Sequence, residues 1–149
     1  MRVHMGAAEL MRKVVAGFAE SDLRPLLDTM HDEIVWKTAN KHEGLFRFNG
    51  HYKGKSVVMD VLAKLSVDYT FRSFVEREIL ASEDVVWGLF DVSLAFDPKG
   101  LGGAAKDIEL EMALRWRIKD GKIIEHQAFF DTASLLIQQG AMAAPASQP

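Results

Sequence analysis

Residues 108–130 read IELEMALRWRIKDGKIIEHQAFF, and this stretch decides the fold class. In its first half, apolar residues alternate with charged ones, which is the period of a strand with one buried and one solvated face. Asp120 and Gly121 then separate two strand-like runs, and Asp-Gly is a strong signal for a two-residue hairpin turn. We therefore predict an antiparallel hairpin of residues 108–119 and 122–130 with one buried face. The apolar side of its first strand consists of Leu110, Met112, Leu114, Trp116 and Ile118.

Two further strand-like segments precede this hairpin, at residues 69–80 and 84–96. Together with the hairpin they predict an antiparallel meander. A shorter strand of about six residues is predicted around residues 34–36, because β-branched and aromatic side chains favour strands. Residues 97–107 read DPKGLGGAAKD, and this Gly-rich composition predicts a long internal loop.

Helical periodicity marks most of the remaining chain. Apolar residues at three- and four-residue spacing predict a first helix over Ala7–Ala19 and a third helix after Gly54. Capping chemistry at Asp22 predicts a short second helix that ends near Met30. A last helix is predicted over residues 132–139, just before a glycine that favours a helix end.

These elements predict an α+β domain in which a curved, cone-shaped antiparallel sheet wraps around three helices. Long strands that bend around helices do not fill the wide end of the cone with side chains. We therefore expect an enclosed hydrophobic pocket, where small ligands usually bind. We expect a single domain over residues 1–140 and a flexible C-terminal tail at residues 141–149, which read AMAAPASQP.

The composition argues against several classes of protein. Of the 149 residues, 48% are hydrophobic and 26% are charged, which is an ordinary globular mixture. The net charge of −3 and the lack of a Lys/Arg stripe argue against a nucleic-acid partner. No window reaches the roughly 18 apolar residues of a membrane helix, and neither a signal peptide nor a cysteine is found. We therefore expect a cytoplasmic protein without a membrane partner.

No motif predicts a cofactor or a metal ion. Residues 100–105 match the letters of a dinucleotide fingerprint, but a strand follows them where that motif needs a helix. No two histidines have a spacing that presents two metal ligands on one helix or strand. His42, Glu43 and His51 could meet in one loop around a metal, although solvated loop residues are the simpler interpretation. We expect neither a cofactor nor a metal.

Several local strings resemble the nuclear-transport-factor-2-like superfamily, which includes ketosteroid isomerases and the SnoaL-like polyketide cyclases. Residues 32–36 read DEIVW, residues 48–55 read FNGHYKGK, and residues 120–123 read DGKI. The closing segment, with Asp131 and the QQG of residues 138–140, is similar to that of SnoaL-like cyclases. The resemblance covers most of the chain. It implies the same fold and a small hydrophobic ligand, such as a carbonyl, polyketide or steroid-like compound.

The resemblance also implies roles for individual residues. Asp131 matches the acid of the cyclases, and a carboxylate at the rim of an apolar cavity suits proton transfer. Asp131 is also well placed to be the N-cap of the last helix, so both roles stay open. His126 is a second acid–base candidate if its strand face lines the pocket. Arg117 stands where the cyclases carry an assisting histidine.

The ketosteroid isomerase pattern is not carried over. Its proton-transferring Asp and its two oxyanion donors match Thr38, Val14 and Leu114, and none of these can perform that chemistry. We therefore do not expect a steroid isomerase. The side chains that we expect to contact substrate are Trp36, Thr38, Tyr52, Leu114, Trp116 and Phe130.

Two functions from different classes follow. The first is a cofactor-independent isomerase, cyclase or hydratase that uses acid–base groups in the pocket. The second is a non-catalytic ligand-binding or dimerisation module of the same fold. We also expect a homodimer formed through the sheet, because its outer face carries apolar residues such as Phe129 and Val75.

Overall fold

The computed structural model of the chain describes residues 6–38, 41–42, 45–97 and 104–145. These residues confirm the α+β class, with four helices and a curved, unclosed sheet of six strands. None of the described helices is both long enough and apolar enough to cross a membrane. The helices are α1 (Ala7–Ala19), α2 (Arg24–Thr29), α3 (Lys55–Asp68) and α4 (Thr132–Gln138). The strands are β1 (Met30–Lys37), β2 (His51–Lys53), β3 (Tyr69–Ser82), β4 (Val85–Phe96), β5 (Lys106–Lys119) and β6 (Lys122–Phe130).

The strand order in the sheet is β2-β1-β6-β5-β4-β3. The predicted meander of β3 to β6 is antiparallel throughout. β1, however, pairs parallel with β6, so the expectation of a wholly antiparallel sheet is wrong at this position. The local pattern identified β1 as a strand, but it holds no information about which distant strand becomes its neighbour. β2 adds to the free edge of β1 and, with three residues, is too short to give a periodic signal.

The hairpin between β5 and β6 has the predicted turn. Asp120 has a φ of 53° and Gly121 a φ of 73°. A type I′ turn requires positive φ at both central residues, which is why Asp-Gly favours it. The resulting register places Trp116 directly opposite His126. This pairing brings the two side chains onto the same face of the sheet.

The inner face of the sheet carries the hydrophobic core. α1 packs against β3 and β4, α3 packs against β1, and α4 packs against β5. The alternation in β5 correctly predicts its buried face. The buried residues of this strand are Ile108, Leu110, Met112, Leu114 and Trp116.

Two predicted loop segments fall partly outside the described residues. β5 begins at Lys106, so the predicted loop at 97–107 ends earlier than expected, and residues 98–103 lie outside the described part of the chain. In the predicted tail, residues 141–145 form neither helix nor strand, and residues 146–149 lie outside it.

A glycine allows the sharp turn from α1 into α2. The amides of Asp22 and Ser21 donate to the carbonyl oxygens of Gly17 at 2.8 Å and Phe18 at 3.1 Å, which is a Schellman motif. Ser21 takes the left-handed conformation of this motif, with a φ of 57°. A Cβ atom at position 17 would lie 2.5 Å from the carbonyl oxygen of Asp22. The turn that places Phe18 over the sheet therefore requires glycine at position 17.

We expect Gly17→Ala to lower the free energy of unfolding by about 1–3 kcal/mol, because the added methyl group forces the backbone of the turn to move. Denaturant unfolding measures this change. Gly6→Ala is the matched control, since nothing lies within 4 Å of a Cβ atom at that position. Its effect should stay below about 1 kcal/mol. Equal losses in the two variants would contradict the steric argument.

Candidate ligand-binding cavity

A cavity of about 70 Å³ lies between the helices and the inner face of the sheet. All four helices contribute to its wall, and so does every strand of the sheet except β2. Phe48, in the segment before β2, also lines the cavity. The wall is mostly aliphatic or aromatic, and its polar groups belong to Thr38, His126 and the phenol of Tyr69, whose hydroxyl donates to Gln139. Such a wall suits an apolar ligand that is oriented by very few polar contacts.

Most of the pocket residues predicted from the sequence lie on this wall. β1, β6 and β5 are neighbours, and their register pairs Trp36 with His126 and His126 with Trp116. These three side chains thus form one row across the inner face. Their role in binding stays a prediction. The predicted residues on the wall are Trp36, Thr38, Leu114, Trp116, His126 and Phe130.

His126 is held from two sides by tryptophans. The indole Nε1–H of Trp116 donates a hydrogen bond to Nδ1 of His126 at 2.9 Å. The ring of Trp36 stacks on the imidazole with a centroid separation of 3.5 Å and an interplanar angle of 9°. Only 7% of the His126 surface is exposed. Both the position and the rotation of the imidazole are therefore fixed.

Burial keeps His126 uncharged. Desolvation lowers its pKa from the ordinary value of 6.5 to about 3. The physical cause is that an imidazolium in an apolar wall loses its hydration without gaining a counter-charge. At neutral pH, His126 is therefore a neutral ring and not a reservoir of protons.

The hydrogen bond from Trp116 also fixes the tautomer. Because Nδ1 accepts this bond, it carries no proton, and the proton of the neutral ring sits on Nε2. No described residue accepts a hydrogen bond from Nε2. Every polar side-chain atom that is sealed from solvent in the described residues has a partner, so Nε2 keeps some accessible surface, and His126 is one of the residues that line the cavity. His126 thus offers a single N–H donor to whatever enters.

Thr38, another polar residue on the wall, stabilises the local structure. The Thr38 hydroxyl donates to Oδ1 of Asn49 at 2.8 Å and accepts from the amide of Gly50 at 3.0 Å. Nδ2 of Asn49 donates in turn to the carbonyl oxygen of His42 at 2.6 Å. The hydroxyl therefore holds the segment before β2 against the end of β1.

Asp131 does not occupy its expected position at the cavity. One carboxylate oxygen accepts a hydrogen bond from the amide of Ser134 at 3.0 Å, and Asp131 is the N-cap of α4. The residue is exposed and borders an outer groove beside Glu109 and Glu111. Phe130 already points into the cavity, so the next residue along the extended chain faces outward. We therefore assign Asp131 to helix capping.

Tyr52 and Arg117 also lie away from the cavity wall. Tyr52 pairs with Trp36 across β1 and β2, but its hydroxyl donates to the carbonyl oxygen of Asn49 at 2.6 Å. Tyr52 is therefore held against the segment before β2 and, contrary to the expectation, does not line the cavity. Arg117, at the position of the cyclase histidine, forms an ion pair with Asp84 at 2.8 Å.

Five aromatic wall residues were not predicted as pocket residues from the sequence: Phe18, Phe48, Tyr69, Phe71 and Phe74. Phe18 extends the apolar stripe of α1, so helical periodicity could have identified it. Phe48 lies in an irregular segment and stacks on Phe46 with a centroid separation of 5.1 Å, which no periodicity indicates. Phe71 lies near the start of β3 and contacts the edge of Phe18. Together these rings close the wall beyond the predicted row.

Among the described residues, no group of three His, Asp or Glu side chains is arranged to hold a metal ion. Of the three loop residues considered as metal ligands, His42, Glu43 and His51, Glu43 lies outside the described residues. His42 and His51 are both exposed.

Comparison with protein families identifies the domain. A family model described as the SnoaL-like domain matches residues 11–126, which is most of the chain. The protein belongs to the SnoaL-like domain family. This confirms the resemblance to the nuclear-transport-factor-2-like superfamily. A comparison with curated protein sequences found no match.

Solved structures share the fold of this SnoaL-like domain. A proposed isomerase from Bacillus subtilis superimposes with a TM-score of 0.75 and 18% identity, over 91% of this chain and 94% of that one. A proposed polyketide cyclase from Pseudomonas putida KT2440 gives 0.73 and 18%, over 91% and 98%. TerC, crystallised with polyporic acid, gives 0.70 and 22%, over 89% and 96%. At these identities the likeness establishes the fold of the SnoaL-like domain.

The lowered pKa of His126 predicts a pH dependence of stability. Between pH 6.5 and about 3, the unfolded chain binds a proton at this residue and the folded chain does not. Stability contributed by the neutral ring is therefore complete above pH 6.5 and falls by about 1.4 kcal/mol per pH unit below it. We expect unfolding at pH 4.5–6.5 to show this slope.

His126→Gln is the control for this slope. Its amide oxygen can still accept from Trp116, while it cannot titrate. The variant should lose the slope over this range, whatever its absolute stability. An unchanged slope would show that another group causes the pH dependence.

Proposed function

We propose that this SnoaL-like domain binds a small apolar molecule that carries one hydrogen-bond acceptor, such as a carbonyl oxygen. The observation that carries this proposal is the fixed, uncharged His126 on a largely apolar wall, whose Nε2–H donates to no described residue. A neutral N–H donor suits an oxygen acceptor without requiring a charged ligand. The rings of Trp36 and Phe130 supply the apolar contacts on either side.

The chemistry of the wall supports binding more than proton transfer. The positions that match the catalytic residues of ketosteroid isomerases, Thr38, Val14 and Leu114, all line this cavity. Two of them are aliphatic, and the hydroxyl of the third is already engaged. Among the described residues, no carboxylate lines the cavity. A molecule held there meets one donor and no base from the described chain.

The donor should discriminate between ligands of equal shape. A ligand without an acceptor leaves Nε2–H buried and unpaired, which costs about 1–3 kcal/mol. That difference corresponds to a preference of about 5- to 100-fold for the ligand with the acceptor. Acetone and 2-methylpropene are a suitable pair, because they differ only in an oxygen replaced by a methylene group.

We expect the ratio of the acetone affinity to the 2-methylpropene affinity to be at least about 5-fold higher in the parent protein than in His126→Leu, because this comparison cancels the different hydration of the two probes. NMR titration of protein with ¹⁵N-labelled histidine measures both affinities and follows the Nε2 signal of His126. His126→Gln, which keeps a donor, should retain part of this higher ratio. The same ratio in the parent protein and in His126→Leu would refute the proposal.

A cyclase or isomerase activity is the second candidate. It is supported by the names of the structural relatives and by the N–H donor, which could stabilise negative charge on an enolate oxygen. Such a reaction needs a base that removes a proton from the carbon next to the carbonyl group. Deuterium exchange of the methyl groups of acetone in D₂O detects this step. Exchange faster than with His126→Leu would favour catalysis, and no acceleration would favour binding alone.

We also infer that the domain forms a homodimer through the outer face of its sheet. Leu80 and Trp87 are 63% and 43% exposed there, and Trp87 stacks on Phe129. The outward-facing residues of β5 alternate along the strand as Glu109, Glu111, Ala113, Arg115 and Arg117. A two-fold axis near Ala113 would place the acidic half of one strand over the basic half of the other. An isologous contact of this kind combines an apolar centre with complementary charge.

We expect the protein to sediment as a dimer at micromolar concentration and Glu111→Arg to shift it toward monomer. Adding Arg115→Glu to that variant should restore the dimer, because the two charges are then exchanged and remain complementary. Asp60→Arg, an exposed charge reversal on α3, is the control and should leave the dimer intact. A monomeric parent protein would contradict the inference.

A further inference from the structure

A second hollow lies directly beside the cavity that contains His126. Its volume is about 80 Å³, and it lies near the turn from α1 to α2 and the junction of α3 with β3. Four side chains line both spaces: Phe18, Leu65, Tyr69 and Phe71. The two hollows are therefore neighbours that share part of their walls.

The small size of the inner cavity makes the second hollow relevant to ligand binding. At about 70 Å³ it is too small for a six-membered ring, since an apolar protein cavity of about 150 Å³ is known to hold benzene. Joined with the outer hollow of about 80 Å³, it reaches that size. Any ligand larger than a few atoms therefore needs more space than the closed inner cavity provides.

The side chains between the hollows are suited to move. The rings of Phe18 and Phe71 meet edge to face with a centroid separation of 5.4 Å. Both rings and Leu65 are only half-buried, whereas His126 and Trp116 on the opposite side are buried. Tyr69 is less free, because its hydroxyl donates to Oε1 of Gln139 at 2.5 Å. Both rings also contact the ring of Phe74, with centroid separations of 6.0 and 5.4 Å, but neither phenylalanine side chain has a polar group that would fix it by a hydrogen bond.

The two ends of the combined space differ in polarity. The inner end offers the N–H of His126, and its surroundings are apolar. The outer end is bordered by the hydroxyl-bearing residues Ser21, Ser66 and Thr70, all of which are exposed. A molecule that filled both hollows would need an apolar body and could use hydrogen-bonding groups at both ends.

We propose that the two hollows are the inner and outer halves of one ligand site, joined when Phe18 and Phe71 rotate. This inference rests on the proposed function. It implies that the ligand is an elongated apolar molecule with an acceptor oxygen at one end and a hydroxyl group at the other. The acceptor lies against His126, and the polar far end lies between Ser66 and Thr70. The phenylalanine pair acts as the gate through which such a molecule passes.

The first test closes the outer hollow. Ser66→Trp places a large ring in it from an exposed position, so the fold should tolerate the change. Ser56→Trp is the matched control, because Ser56 is also exposed on α3 and does not border the hollow. We expect Ser66→Trp to weaken the binding of decan-2-one at least about 10-fold and Ser56→Trp to change it less than about 2-fold. Acetone should bind both variants as it binds the parent protein.

The second test concerns the gate and the polar far end. Phe71→Ala should speed the association of decan-2-one, because one of the two gating rings is removed. In the parent protein, 10-hydroxydecan-2-one should bind more tightly than decan-2-one, and the double variant Ser66→Ala/Thr70→Val should abolish this preference.

The outcomes separate this inference from the proposed function. If acetone binds with the expected preference but Ser66→Trp leaves decan-2-one binding unchanged, the outer half of the site is refuted while the function stands. An acetone-to-2-methylpropene affinity ratio that is the same in the parent protein and in His126→Leu refutes the function itself. An equal affinity for the two long ketones refutes the assignment of a polar far end.

Discussion

The hydrogen bond from Trp116 to His126 is the interaction on which the interior depends. A histidine placed on the inner face of a sheet must have its polar atoms paired or open to a polar space, because an unpaired buried group is costly. Trp116, opposite it in the register, satisfies Nδ1 and leaves Nε2 as the one donor facing the cavity. The pairing of β5 with β6 places Trp116 within reach of Nδ1, the ring of Trp36 covers one face of the imidazole, and burial keeps the ring uncharged.

The same arrangement explains why the chemistry differs from that expected of an acid–base pair. A titrating residue must be able to exchange protons near the working pH, and burial moves His126 far from that range. Asp131 carries the carboxylate expected to act with His126. It lies one residue beyond β6, where the extended chain directs its side chain outward, and it caps α4. Strand parity therefore separates Asp131 from His126, although they are only five positions apart in the sequence.

The sequence predicts which segments form helices and strands better than it predicts which strands lie side by side in the sheet. Alternation in β5 and the Asp-Gly turn are local signals, and both correctly predict the hairpin with its buried face. The parallel pairing of β1 with β6 depends on distant parts of the chain, and no local period contains it. At the site, parity placed Trp116 and His126 together, whereas the position of Phe48 is set by packing in an irregular segment. The roles of Asp131 could not be separated because a helix cap and a cavity acid use the same residue type.

The alternation of β5 connects the cavity to the outer surface of the domain. Leu114 and Trp116 face the cavity. Ala113, which precedes Leu114, and Arg115, which lies between the two, face outward. A slip of one residue in the pairing of β5 with β6 would exchange the two faces of β5, which would place Arg115 or Arg117 opposite His126 and turn Glu109 and Glu111 toward the core. The cost of burying those charges excludes the slipped register. The charged outer face thus helps to specify the register that holds Trp116 against His126, so the two faces of one strand are physically dependent on each other.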